Sequence, residues 1–186
     1  MTIPQDIIAD CDIDRVHGNA NFGGISPRRV VDEGVLKAAF QYHHGSTARS
    51  ILLEHGLMSE TGGRRSYRDM RLTAKGRDYM RALFPKEAIK ATFDLLGCNN
   101  DPLGRAVLSV TLCQSLQGKE KQMLSDAGLI YALRPGQKTM VLNKRGIDLA
   151  RLKTGNYLMK DILKEVLGPD VVRIKEYDEP DPGPQF

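Results

Sequence analysis

Nowhere does this sequence approach the ~20 consecutive apolar residues that a membrane-crossing helix needs. Its opening stretch, MTIPQDIIADCDID, is acidic and lacks the apolar core of a secretory signal. Cysteine is scarce. Cys11, Cys98 and Cys113 are odd in number and far apart, which argues against a disulfide framework and predicts a reducing, cytoplasmic setting. The same cysteines, with His17, His43, His44 and His55, show no paired zinc-ligand spacing. Also missing are a P-loop, a G-x-S-x-G elbow, a Rossmann glycine pattern and an HExxH helix. These absences predict a chain that is not an enzyme and needs no cofactor or metal. Cys98 and Cys113 are then small hydrophobes in or near helices.

What is present suits a folded chain: 186 residues, 41% hydrophobic and 27% charged, with room for one large core or two modest ones. Charge is spread unevenly. Residues 33–160 carry 21 Lys+Arg against 11 Asp+Glu, whereas the flanks carry 6 against 12. A basic body between acidic ends is suited to meeting phosphate, although solvated surface charge is the plainer account.

Residues 1–25 hold short apolar pieces and then the Gly/Asn-rich HGNANFGG, and are expected to form an irregular arm. Ser26-Pro27 has the cap-then-proline form of a helix start. Val30, Val31, Val35, Leu36, Ala39 and Phe40 then recur at helical spacing to about Tyr42. After His43-His44-Gly45, Ser46 or Thr47 is expected to cap a second helix that buries Ile51 and Leu52 and stops at Gly56. Apolar pieces around ETGGRRSY read as a two-stranded hairpin with a long basic tip. Thr73 caps a helix to about Phe84, Pro85 opens one that Gly97 stops, and Asp101-Pro102 starts the next.

From there the chain repeats itself. Shifted by 72 residues, Val35, Leu36 and Phe40 fall on Val107, Leu108 and Leu112, and Gly56-Leu57 falls on Gly128-Leu129. The second hairpin loop, RPGQ, is two residues shorter, so beyond it the shift is 70. Leu72-Thr73-Ala74-Lys75-Gly76 then matches Leu142-Asn143-Lys144-Arg145-Gly146, and Asp78 and Arg81 match Asp148 and Arg151. Glycine inside a helix costs about 1 kcal/mol relative to alanine. Its recurrence at 76 and 146 predicts close packing of that helix on the hairpin, unless each helix starts only after its glycine. A helix over about Asn156–Leu167 follows, then a short strand in VVRIKEY and a proline-rich tail expected to be disordered.

The stretch Gly56-Leu57, hairpin, Leu72-Thr73-Ala74-Lys75-Gly76-Arg77 resembles the winged helix-turn-helix, and within it the MarR-type bacterial regulators. The second copy, through Leu142-Asn143-Lys144-Arg145-Gly146-Ile147, is a looser match. The resemblance implies an α+β, mostly helical fold: an arm (1–25), winged-helix units at 26–84 and 85–153, a C-terminal helix and short strand (154–177), and a tail (178–186). The scaffold helix that should lead the first unit is not evident before Ser26.

In such proteins the second helix enters the DNA major groove with its N-terminal residues at base edges. Those positions here are His43, His44, Ser46, Thr47, Arg49 and Ser50. The hairpin offers Arg64, Arg65, Tyr67, Arg68 and Arg71 beside Gly62-Gly63, suited to a wing along the phosphates. In the second unit Lys119, Lys121 and Lys138, with Gln122 and Arg134, are polar enough to reach phosphate, yet LSVTLCQSL reads mainly as packing. The expectation is a regulator binding double-stranded DNA, with the C-terminal helix as a homodimer contact. The alternative is a phage- or plasmid-type module that docks on a host protein.

Overall fold

The computed structural model describes residues 2–17, 22–60, 70–132 and 139–170. The fold is mostly helical with a single two-stranded antiparallel hairpin among these residues. The expected strand at 171–177, the tail and both hairpin tips lie outside them.

The N-terminal segment is not the irregular arm expected. It forms α1 (Pro4–Ile7) and α2 (Asp10–His17), and buries Ile8 and Ile13. Asp10 and Asp12 favour the start of α2 by placing negative charge at its positive end. The helix lies on α3 (Pro27–Ala39). Ser26 caps α3 by accepting from the Arg29 N–H at 3.1 Å. The next helix, α4 (Ser46–Glu54), is capped neither by Ser46 nor by Thr47. Its N-cap is Gly45, which has no side chain to offer. Strands β1 (Met58–Glu60) and β2 (Met70–Leu72) pair Met58 with Leu72, Ser59 with Arg71 and Glu60 with Met70. Then come α5 (Ala74–Leu83), α6 (Lys86–Leu95), α7 (Pro102–Thr111), α8 (Gly118–Asp126), a single bridge between Ile130 and Leu142, α9 (Lys144–Lys153) and α10 (Met159–Leu167).

The repeat is present hydrogen bond by hydrogen bond. Gly56 and Gly128 turn the chain with φ of 66° and 65°, as only glycine does at little strain. Leu57 N–H then donates to the Leu52 carbonyl at 2.8 Å, as Leu129 N–H does to Leu124 at 3.0 Å. The backbone N–H of Thr73 reaches the Leu57 carbonyl at 3.0 Å, and that of Asn143 reaches Leu129 at 3.0 Å. Each side chain then caps its helix, Thr73 accepting from Gly76 N–H at 3.0 Å and Asn143 from Gly146 N–H at 3.1 Å. Both helices therefore begin before their glycines. The reason for glycine is steric: a Cβ at 76 would collide with the Leu57 carbonyl oxygen, and one at 146 with that of Leu129.

The correspondence runs one helix further than the sequence comparison did. α6 and α10 bury Ala88 and Thr92, and Met159 and Leu163, at matching places, and end on left-handed Gly97 and Gly168. Two equivalent halves thus follow α2, α3–α6 and α7–α10, and they hold each other reciprocally. Arg81 on α5 donates to the Cys113 carbonyl at 3.0 Å, just after α7. Its counterpart Arg151 on α9 donates to the Phe40 carbonyl at 2.8 Å and to that of Gln41, just after α3. This is the exchange of like contacts seen between subunits of a twofold dimer, here within one chain.

The end of α10 closes the structure against the start of α3. Asp170 accepts from both the N–H and the hydroxyl of Ser26 at 2.6 Å, and Arg29 donates to the Gly168 carbonyl at 2.9 Å. The apolar face of α10, Met159, Ile162 and Leu163, is spent on α6 and α3 inside the chain.

Candidate nucleic-acid interface

The turn after α3 and the start of α4 bring five of the six expected groove residues to the surface. His43, Ser46, Thr47, Arg49 and Ser50 are exposed. His44 is buried instead. Its side chain is 4% exposed, turned inward, and neither ring nitrogen has a hydrogen-bond partner among the described residues. Burial, with Lys37 and His43 nearby, lowers its pKa from 6.5 to about 4, so the ring is neutral. It packs the turn and is withheld from base edges.

Ile51 and Leu52 anchor α4 in the core, leaving the first turn outside. No side chain caps that turn, so its leading N–H groups face solvent or a ligand. Arg49 is not simply presented. It forms a bidentate pair with Glu60 on β1, which ties the helix to the hairpin. The pair holds Glu60 below the usual carboxylate range, chiefly through that hydrogen bond. Sequence reasoning missed Glu60. An acid just before a basic loop carries no sign that it will reach back eleven positions to an arginine.

On β2, Arg71 is exposed and shares the face of Ser59. Arg64, Arg65, Tyr67 and Arg68, four candidates that precede it in the chain, lie outside the described residues, as do Arg134 and Lys138.

Lys119 and Lys121 are exposed at the start of α8, matching Thr47 and Arg49 of α4. The local chemistry differs. The Gln117 N–H is taken by the Glu120 carboxylate at 2.8 Å, so the start of α8 already has an anion. The helix start is open at α4 and occupied by a carboxylate at α8.

Among the described residues no group of three or more His, Cys, Asp or Glu is placed to hold a metal ion. No described helix is long and apolar enough to cross a membrane. No protein-family model, curated protein or solved structure matches the chain.

Proposed function

We propose that this chain binds double-stranded DNA as a tandem winged-helix protein, acting as a transcriptional regulator, with the first half making the main contact. The observation that carries the reading is the open start of α4. Ser46, Thr47 and Ser50 are exposed there on a helix whose first amides lack a side-chain cap, beside a hairpin bearing Arg71. Such a helix start offers N–H groups and a positive dipole end to phosphate, and hydroxyls to base edges. The equivalent helix α8 presents Lys119 and Lys121 around Glu120 and is assigned an auxiliary role.

The test is fluorescence anisotropy with DNA selected from a random or genomic pool. Neutralising about six phosphates lowers affinity by ~10³ between 50 and 200 mM salt, and the slope of that plot counts the contacts. Arg64, Arg65 and Arg68 changed together to Ala should flatten the slope by about three contacts while the far-UV spectrum is retained. An unchanged affinity and slope in that variant refutes the wing assignment.

A second reading, docking on a protein, has one specific observation behind it. Leu152, Tyr157 and Leu158 stand 73%, 41% and 57% exposed around the α9–α10 turn, where the first half has Ala82, Lys86 and Glu87. A stoichiometric protein partner lost in a Leu152→Ser/Leu158→Ser variant, together with no protected DNA in a footprint, would favour this reading over the first.

A further inference from the structure

Between the two halves lies a cleft of about 710 Å³, and we infer that it is the docking site of this chain's own acidic run, residues 176–181. Six cations line the cleft against one acid, Asp148, among the described residues. Arg71, Lys121 and Lys144 are exposed there, and neither lysine forms an ion pair among the described residues. A hollow lined by one sign of charge concentrates its field and attracts a segment of the opposite sign. The run EYDEPD supplies that segment through Glu176, Asp178, Glu179 and Asp181, with no Lys or Arg among them. The other acidic stretch, residues 10–14, is held within α2, where Asp10 pairs with Arg28 and Asp12 with Arg15. Met70 and Met140 add apolar wall to the cleft, which suits Tyr177 of the run.

Chain geometry, independent of charge, sets the same register. The described residues end at Asp170, and that end is fastened: Asp170 accepts from the N–H and hydroxyl of Ser26, and Arg29 donates to the Gly168 carbonyl. The run therefore sets out from the start of α3. The far end of the same helix borders the cleft through Ala38 and Ala39, with Gln41 just beyond. Thirteen residues of helix at ~1.5 Å each separate the two ends by about 20 Å. Residues 171–175, VVRIK, carry no acid and are consumed by that distance. At ~3.3–3.6 Å per extended residue, Glu176 reaches roughly 20 Å from Asp170, and Asp181 roughly 38 Å. The acids thus begin where the cleft begins. Arg71 and Lys121 belong as well to the proposed DNA-binding surface, so the docked run and a duplex compete for them. That competition rests on the DNA reading, whereas the docking does not.

Docking is tested without DNA. A zero-length carbodiimide joins carboxylates to amines in direct contact, and mass spectrometry of the treated, digested full chain locates the links. Links from Glu176, Asp178, Glu179 or Asp181 to Lys121 or Lys144 within one chain are expected at low salt, and fewer at high salt. An equal mixture of ¹⁵N-labelled and unlabelled chain separates these from links between copies. No such links, links spread evenly over the exposed lysines, or links only between copies would overturn the docking. Competition is read by anisotropy with the selected DNA. Glu176→Gln/Asp178→Asn/Glu179→Gln/Asp181→Asn should bind roughly fivefold tighter at low salt, with the thermal transition retained. In a Lys144→Ala background that gain should shrink, which a general loss of negative charge would not produce. An equal gain in both backgrounds, or none, would overturn the competition. Links to Lys121 and Lys144 in a chain that binds no DNA would support the docking and refute the DNA reading.

Discussion

Two buried ionisable groups of the first half should give opposite pH dependences of stability that nearly cancel in the native sequence. Asp32 on α3 is 7% exposed. Burial raises its pKa from 3.8 to about 6, against the hydrogen bond from Tyr79 and the charges of Arg28 and Arg29, with Asp170 adding to the rise. Between those values the folded chain holds a proton that the unfolded chain has lost. Its contribution is therefore greatest below pH 3.8 and falls as the pH rises to about 6. His44 does the reverse. The unfolded chain takes a proton below 6.5, whereas the folded chain resists until about 4, so stability falls as the pH drops through that window. At 1.36 kcal/mol per unit, the Asp32 shift corresponds to about 3 kcal/mol, and the His44 shift to roughly 2 after allowance for solvent screening. The windows overlap between about pH 4 and 6. Urea unfolding followed by far-UV circular dichroism suits a chain without tryptophan. Relative to the native chain, Asp32→Asn should make stability rise with pH by about 1 kcal/mol per unit. His44→Leu should make it fall by a similar amount, and the double variant should restore the native profile. Slopes of the same sign in the two single variants would refute the reasoning.

Two further perturbations address the fold and the interface. Gly76→Ala and Gly146→Ala, which in an open helix would stabilise by about 1 kcal/mol, should each destabilise by about 2 kcal/mol or more. The new Cβ meets the Leu57 or Leu129 carbonyl oxygen, and a raised melting temperature in either variant would contradict that packing. Glu60→Gln should tighten DNA binding several-fold, because it removes a negative charge beside the helix start. Anisotropy reads this directly, and weaker binding would show that the Arg49–Glu60 pair positions the helix instead.

Local chemistry was well represented in the sequence. Ser26, Thr73 and Asp101 each cap the helix expected of them, as does Asn143 at the repeat position of Thr73, because a short polar side chain before a helix has few other uses. The turn before α4 misled for a related reason: Ser46 and Thr47 are good caps, but Gly45 takes the position and frees both hydroxyls. α1 and α2 escaped notice because they bury only Ile8 and Ile13, too few apolar residues for a visible period. They are held instead by Arg28, which reaches the Asp10 carboxylate at 2.7 Å, the Ile8 carbonyl and the Tyr79 hydroxyl. The inward turn of His44, the reach of Glu60 and the cleft depend on how distant elements dock. Arg81 and Arg151 meet their carbonyl partners more than 30 positions away, and nothing local in the sequence encodes that.

The internal repeat separates residues that hold the backbone from residues free to vary. Where both halves carry the same group at the same place, the structure gives a backbone reason: Gly76 and Gly146 face carbonyl oxygens, and Arg81 and Arg151 clamp opposite helix ends. These positions report on folding, and their substitution should impair any activity indirectly. Where the halves diverge on a shared backbone, folding does not dictate the residue. Arg49 against Lys121, uncapped Gly45 against Gln117 with Glu120, and Gln41 against Cys113 are such pairs. Under the proposed DNA binding, the second difference places the more open helix start in the first half. The third lies on the cleft wall, where each half keeps a side chain at a position that glycine would fill with less strain. Restoring glycine at 41 and 113 should therefore stabilise the fold, read as a raised melting temperature in each variant.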